Sequence, residues 1–323
     1  MTASDTTSAT RAGAATEPVS EPRVFIILVN WNGKADTLAC LESLQQVNYA
    51  NKTIVVVDNG SSDGSVEAIR RRFPEVRLIR NEHNERFARA NNQSMQLALQ
   101  EGADYVLLLN NDTLVDAEFL RHLVNRAESD PAIGMVGGKI YYAEPADRLW
   151  FVGGGVDLWR GRIWHHGLRQ EDRGQFDQPR DVDYITGCCV LVRRACIETI
   201  GLLDESYYIY GEDVDWSFRA RQAGFRLVYE PKAKIWHKIS SSSGGPRTPE
   251  GLTGFKVFHK VRSMLKFFWK HARWYHWLTI PVFMTIEAMR VVFWLAIRGN
   301  WQAIRALVRA VLPSRSQSND AGG

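Results

Sequence analysis

The hydrophobic positions of this chain follow two periods, and the changes between them divide it into segments. From Val24, short β-branched runs alternate with longer amphipathic stretches, the pattern of parallel strands joined by crossover helices. It predicts strands at Val24–Val29, Thr53–Val57, Val76–Ile79 and Tyr105–Leu109, with helices at Ala35–Gln46, Ser65–Phe73 and Phe87–Gln100. Together these form a doubly wound half of an α/β fold, where ligands gather at the carboxyl ends of the strands. The residues met there are all polar: Asn30-Trp31-Asn32, Asp58-Asn59-Gly60 and Asn110-Asn111-Asp112.

From Ile133 to Arg193 the chain is rich in Gly, Trp and Tyr and reads as mixed strands and loops suited to a lidded acceptor region. A helix opening at Gly211-Glu212-Asp213 is predicted to end near Gly224, followed by a strand at Phe225–Tyr229 and then Pro231. Ser240–Gly251 has the Ser/Gly/Pro composition of a mobile loop. From Phe255 the period is helical, with Val257, Val261, Met264, Leu265 and Phe268 on one face and Lys256, Lys260 and Lys270 opposite. Trp294, Ile297, Trp301, Ile304 and Val308 repeat the plan against Arg298, Gln302, Arg305 and Arg309. Between them, Trp277–Ile297 approaches the ~20 residues that span a bilayer. Pro281, Glu287 and Arg290 interrupt it, which favours helices lying in the membrane interface.

Charge sharpens the division. Residues 1–254 carry 29 Lys and Arg against 34 Asp and Glu, whereas residues 255–323 carry 11 against 2 together with five of the eleven tryptophans. An acidic body ending in a basic, aromatic tail implies an anionic partner, phospholipid or nucleic acid. Trp-rich amphipathic faces fit a lipid surface better, so no nucleic-acid partner is expected. Cys40, Cys188, Cys189 and Cys196 lack paired metal spacing and read as buried free thiols of a reducing compartment. The first ~20 residues lack the apolar core of a secretory signal. They read as a disordered leader, and the protein as cytoplasmic.

Three groups of residues carry candidate chemistry. Asp112 follows a fully apolar strand, and a hard divalent ion on a diphosphate needs only one or two protein carboxylates, so it is a candidate metal ligand. An Asn-Asn-Asp turn that caps the next helix explains the same residues. Asp58, ending Val-Val-Val-Asp-Asn-Gly-Ser-Ser-Asp-Gly, can accept from a base or ribose, though turn chemistry accounts for Asn-Gly and Asp-Gly as well. At 100° per residue, Glu212, Asp215 and Arg219 share a helix face on which the arginine can pair with the acids. Asp213 faces elsewhere, and its acidic neighbours are expected to raise its proton affinity, as a general base requires; an acidic helix N-terminus favoured by the dipole is the alternative. His237 is a candidate metal or diphosphate contact, and Arg86 and Arg89 could reach a nucleobase or phosphate.

In their order, these segments resemble family 2 glycosyltransferases of the GT-A fold, particularly the bacterial rhamnosyltransferase-like branch acting on cell-surface polysaccharide. The resemblance covers roughly residues 24–243. It is carried by Val-Asn-Trp-Asn-Gly, Val-Val-Asp-Asn-Gly-Ser-Ser-Asp-Gly-Ser, Asn-Glu-Arg-Phe-Ala-Arg-Ala-Asn-Asn, Leu-Leu-Leu-Asn-Asn-Asp-Thr, Thr-Gly-Cys-Cys-Val-Leu-Val-Arg-Arg and Tyr-Ile-Tyr-Gly-Glu-Asp-Val-Asp-Trp-Ser-Phe-Arg. It implies a nucleotide-binding half (23–112) merged with a mixed-sheet acceptor half (113–250). Basic amphipathic membrane-associating helices (251–312) follow, with disordered ends at 1–22 and 313–323. It further implies that Asn30, Asn32, Asp58, Asn59, Arg86, Asn110 and Asn111 line the nucleotide-sugar site. Asp112 and His237 would hold Mn2+ or Mg2+, Asp213 would be the inverting base, and Glu212, Asp215 and Arg219 would support it.

Two departures matter: Asn110 replaces the first acid of the Asp-x-Asp metal motif, and Arg86 stands where the branch usually has Gly. The implied partners are a dTDP- or UDP-sugar, a lipid-linked glycan acceptor and the anionic inner face of the cell membrane, with peripheral association. A nucleotide-sugar-binding scaffold without turnover and a sugar nucleotidyltransferase are the alternatives. The latter would carry a Gly-rich, basic signature after the first strand, and Asn30-Trp31-Asn32-Gly33 is not one.

Overall fold

The computed structural model describes residues 21–239 and 253–312. The predicted loop at Ser240–Gly251 and the expected disordered ends, apart from Glu21 and Pro22, lie outside the described residues. Glu21 and Pro22 are tied to the body, Glu21 by an ion pair with Arg121 and Pro22 by its carbonyl, which accepts from the Tyr49 hydroxyl.

The doubly wound half forms as expected from β1 (Val24–Asn30), α1 (Lys34–Gln45), β2 (Lys52–Asn59), α2 (Ser65–Arg72), β3 (Arg77–Asn81), α3 (Arg86–Gln100) and β4 (Tyr105–Leu109). β1 pairs in parallel with both β2 and β4, and β2 with β3. Every residue of β4 and nearly all of β1 is buried. Strands covered on both faces need continuous rather than alternating apolar runs, which is why these were legible.

The second half adds β5 (Thr113–Val115), α4 (Phe119–Glu128), β6 (Ile133–Tyr142), β7 (Leu149–Phe151), β8 (Gly154–Asp157), β9 (Arg162–His165), β10 (Arg180–Asp181), β11 (Cys189–Arg193), α5 (Arg194–Ile200), α6 (Glu212–Gln222) and β12 (Arg226–His237). The main sheet runs β10-β12-β6-β11-β4-β1-β2-β3, with β5 on β12 and β7 on β6. β11 is antiparallel to both β4 and β6, and this one reversed strand joins the halves into a mixed sheet. All four cysteines are buried and unpaired.

The strand expected at Phe225–Tyr229 is much longer, running through Pro231 to His237. Its register on β6 breaks between Glu230 and Lys234, and a proline without an amide hydrogen is tolerated where the ladder is already interrupted. Reading Pro231 as the strand's end missed this bulge.

The tail folds as α7 (Gly254–His271), a 3-10 turn (Trp274–Leu278), α8 (Ile280–Ile297) and α9 (Trp301–Val311). Two expectations are corrected. Pro281 does not interrupt α8, because it sits in the first turn where no amide donor is needed, and Glu287 and Arg290 pair on the surface. α8 is therefore continuous, and it is the one described helix long and apolar enough to cross a membrane, with 11% of it buried. Nor do Trp294 to Val308 share one helical arc. Gly299 (φ 67°) ends α8, the Asn300 side chain caps α9, and α9 folds back against α7.

Candidate active site

The carboxyl ends of β1, β2 and β4 meet in a hydrogen-bonded layer. The Asn30 amide donates to Asp58 Oδ2 at 2.8 Å and to Ser61 Oγ at 3.1 Å. Its carbonyl accepts from Gly33 N, the Thr37 hydroxyl and the Asn111 amide. Asp58 Oδ1 accepts from Ser61 N. Both amide hydrogens of Asn30 are thus committed to protein, and Asn30 and Asn111 act as braces that aim Asp58. Asn32 holds the facing loop by accepting from Ser62 N, and Asn59 pins the β3–α3 loop through Asn81, Asn84 and Glu85 N. Arg86 has φ 67°, a conformation that favours glycine, and its guanidinium stacks 4.2 Å over the Tyr208 ring.

Asp112 and His237 come from distant parts of the chain. β5 pairs antiparallel with the end of β12, setting His237 opposite Thr113, and His237 Nε2 lies 3.1 Å from Asp112 Oδ1. Both are buried, and the His237 ring packs edge-on against Trp150 at 4.6 Å. Neighbouring ligands of an octahedral Mg2+ or Mn2+, with bonds of about 2.1 Å at right angles, stand about 3 Å apart. The observed separation fits two such vertices. No cluster of three or more His, Cys, Asp or Glu occurs among the described residues, so a diphosphate and water would supply the other positions. Asn110 is half-exposed beside this pair.

α6 begins at Glu212 after Gly211, whose φ of 85° turns the chain into the helix. The carboxylate of Asp213 accepts from Gly187 N at 3.0 Å and Val214 N at 2.8 Å. A Cβ at position 187 would meet Phe87 at 3.3 Å and the Asp213 Cβ at 3.6 Å, so a small residue there keeps the Asp213 approach open. Burial raises the proton affinity of Asp213, in the expected direction. Its cause differs from the one expected: desolvation dominates, not the acidic neighbours.

The expected sharing of Arg219 between Glu212 and Asp215 is half right. Arg219 pairs with Asp215 at 2.9 Å and also donates to the carbonyls of Ile200 and Leu202, so its fork is fully used. Glu212 turns inward, its Oε2 buried without a partner among the described residues. Burial and then the Asp213 charge raise its proton affinity, while the amides aimed at Asp213 favour the ionised form there.

Asp213 and the end of β4 that leads into Asp112 meet at one turn. Gly187 N donates to Asp213, and Cys188 O accepts from Asn110 N, two residues before Asp112. The buried Cys188 thiol is raised by burial and by the charges of both acids. Surface hollows elsewhere, one lined by Asp183, Arg221 and Arg226 and another by Gln45, Glu75 and Arg77, hold none of the candidate residues.

Residues from the tail complete the surroundings, which periodicity alone did not anticipate. His271 Nε2 and Lys270 Nζ each lie 2.8 Å from Asp215, and Phe267 packs on Phe218. Of the lysines set opposite the apolar face of α7, Lys270 stays exposed but is paired with Asp204 and Asp215. Thr186 and Gly187 were visible only as part of the Thr-Gly-Cys-Cys run, without a role.

Proteins similar to this chain include a named sugar transferase. N-acetylglucosaminyl-diphospho-decaprenol L-rhamnosyltransferase of Mycobacterium tuberculosis is 30% identical over 226 residues, covering 63% of this chain and 72% of that protein. The O-antigen biosynthesis protein RfbC of Myxococcus xanthus is 28% identical over 71% of this chain, which spans 18% of it. Among solved structures, a mannosyltransferase from Pyrobaculum calidifontis in complex with GDP-Man and Mn2+ superimposes with a TM-score of 0.57 at 18% identity, covering 92% of this chain and 76% of that one. GalNAc-T7 with UDP, GalNAc and Mn2+ gives 0.59 at 16% identity, covering 77% of this chain and 48% of that one. The family model described as glycosyl transferase family 2 matches residues 25–201, and the chain belongs to that family as a glycosyltransferase of the GT-A fold.

Proposed function

We propose that this enzyme transfers a hexosyl group, rhamnosyl in the first instance, from a dTDP- or UDP-sugar to a hydroxyl of a lipid-linked or cell-surface polysaccharide acceptor, with inversion. The meeting of Asp213 with the end of β4 that leads into Asp112, at the Thr186–Cys188 turn, carries the reading. Asp213 and the backbone of Asn110, two residues before Asp112, hydrogen-bond to that turn, which supports reading Asp112 with His237 as metal ligands and Asp213 as the base. The similarity to a rhamnosyltransferase whose named acceptor is a diphospho-decaprenol supports the sugar and the lipid-linked acceptor.

In this reading Asp58, aimed by Asn30, meets the nucleoside, and Arg86 lies beside it. Asp112 and His237 would hold a divalent ion, whose charge would stabilise the departing diphosphate. Asp213 takes the proton from the acceptor hydroxyl. The oxygen then bonds to the anomeric carbon as the bond from that carbon to the diphosphate oxygen breaks, and the nucleoside diphosphate leaves. One base with no carboxylate nucleophile gives a single displacement and inverted product. α8 and the exposed aromatic residues of the tail hold the enzyme at the cytoplasmic face of the membrane.

The test is a release assay across a panel of nucleotide sugars with manganese present. Metal-dependent nucleoside diphosphate release from one donor, lost in Asp213→Asn, is the expected result. Binding without release from any donor would favour a scaffold, and a product retaining the donor's anomeric configuration would remove the single displacement.

A further inference from the structure

Arg86 and the tail helix α7 meet on one aromatic ring, that of Tyr208, in the segment leading into α6 and Asp213. The Arg86 guanidinium lies 4.2 Å from the ring centroid, and the His259 ring lies 4.3 Å from it, stacked at 16°. One face has no room for two planar groups so near its centre. They therefore take opposite faces, and Tyr208 is the middle layer of a three-part stack. Phe255, one turn before His259 on α7, packs on it at 4.3 Å.

We propose that Tyr208 is a positioning residue of the donor site: its ring holds the Arg86 guanidinium flat for the nucleoside diphosphate, and His259 holds the ring from behind. Donor affinity then depends on a side chain of the tail. This rests on the donor reading of Arg86 and deepens it.

Arg86 is held in place but not neutralised. Among the described residues it has no carboxylate partner, whereas Arg89, one turn further on, pairs with Glu85. A guanidinium stacked by its face keeps its in-plane N–H donors free for a phosphate or carbonyl oxygen. Its backbone is fixed beside the nucleoside acid: Arg86 N donates to Asn84 Oδ1 at 2.9 Å, and the amide of Asn59, next to Asp58, donates to Arg86 O at 3.4 Å. The φ of 67° is costly for an arginine and persists where surrounding contacts impose it, as at ligand sites.

The stack is not what fastens α7 to this segment. Ser263 Oγ donates to Ile209 O at 3.0 Å, Lys266 reaches Ser206 and lies 4.2 Å from the Tyr207 ring centroid, and Lys270 pairs with Asp204 at 2.8 Å. Those contacts should keep α7 docked when the Tyr208 ring is removed. Nor is the ring a core residue, for Tyr208 is 43% exposed. Unlike the contacts that dock α7, it reaches across to Arg86 of the nucleotide-binding half. Burial and then the Arg86 charge lower the proton affinity of His259, which favours the neutral imidazole behind a ring that already faces a cation.

Calorimetric titration of the full chain with UDP and with dTDP, manganese present, tests the assignment. Tyr208→Ala and His259→Ala should each weaken the tighter nucleotide about 3- to 10-fold, the usual worth of an aromatic or cation–π contact, while Tyr208→Phe and His259→Phe stay near wild type. His259→Ala leaves the Tyr208 ring in the chain and serves where Tyr208→Ala does not fold. In an Arg86→Ala background neither alanine change should weaken binding further, because the ring acts through the guanidinium. Losses that add in full in that background overturn the proposal, as do alanine variants that bind like wild type. Slower nucleoside diphosphate release by Tyr208→Ala with unchanged affinity would give the ring to the Asp213 loop instead. Arg86→Ala that binds as tightly as wild type would take Arg86 out of the donor site and the proposal with it, and a wild type that binds neither nucleotide would sink the donor reading as a whole.

Discussion

His237 Nε2 lies 3.1 Å from Asp112 Oδ1 because the short pairing of β5 with β12 carries one end of the mixed sheet onto the rim of the nucleotide-binding half. Neither residue is positioned by its own neighbours in sequence. The bulge at Pro231 resets the register of β12 on β6, and only past that bulge does the strand meet β5. The Asp112–His237 pair is therefore a product of tertiary pairing, and its proposed role as a metal-ligand pair is the first point to test.

Donor release should depend on manganese or magnesium and stop in chelator. In His237→Ala the metal concentration for half activity should rise ~10- to 100-fold, the usual cost of disturbing a metal's protein environment. Asp112→Asn should raise it at least as far. Unchanged metal titration curves in both variants would take these residues out of the ion's surroundings.

Asp213→Asn should leave donor affinity near wild type while turnover falls ~10²-fold or more, the worth of a positioned base. Because burial raises the Asp213 proton affinity, the acid limb of the wild-type rate profile should lie above the ordinary carboxylate value of about 4. Transfer then grows as pH rises through that limb. A profile flat down to pH ~4, or a variant that loses donor binding with turnover intact, would exclude the assignment.

The parallel strands and the acids at their ends were legible in the sequence because buried parallel strands are written as unbroken apolar runs. The i, i+4 pairing of Asp215 with Arg219 was legible for the same local reason. What helix geometry did not give was the orientation of Glu212, since Arg219 reaches the carbonyls of Ile200 and Leu202 in place of a second acid. The closeness of Asp112 to His237, and of His271 to Asp215, depends on sheet register and helix docking, which leave no periodic trace.

Asp215 is the joint between body and tail. Burial would raise its proton affinity, but hydrogen bonds from His271, Lys270 and Arg219 more than offset this and bring it to about 2. A depressed carboxyl contributes stability above its unfolded value of about 4, lost as pH falls toward 2. Asp215→Asn should therefore lower stability by about 3 kcal/mol at pH 7, as removing one partner of a buried pair does. The difference from wild type should shrink on acidification. Denaturant titrations at pH 7 and pH ~3 that give the same difference would mean that the ion pair is not its source.

α8 leaves Met289 and Phe293 exposed, and it is long and apolar enough to cross a membrane. Met289→Glu with Phe293→Glu should move the full chain from the liposome fraction to the soluble fraction on flotation, with donor release retained. Wild type that fails to float with anionic liposomes would remove the membrane reading. Release by high salt alone would place the attraction on the basic residues instead.

Glu212 behaves oppositely to Asp215. Its folded-state proton affinity is raised, by burial first and by Asp213 second, so the folded protein holds a proton that the unfolded chain releases above about 4.3. Stability from the neutral carboxyl is complete below that value and is lost as pH climbs through the folded one. Glu212→Gln keeps the neutral form at every pH. Its melting temperature should match wild type near pH 4 and exceed it increasingly toward pH 9. A constant gap across that range would mean that Glu212 ionises normally, and the proton would then have to be assigned to Asp213, leaving the base protonated in the resting enzyme.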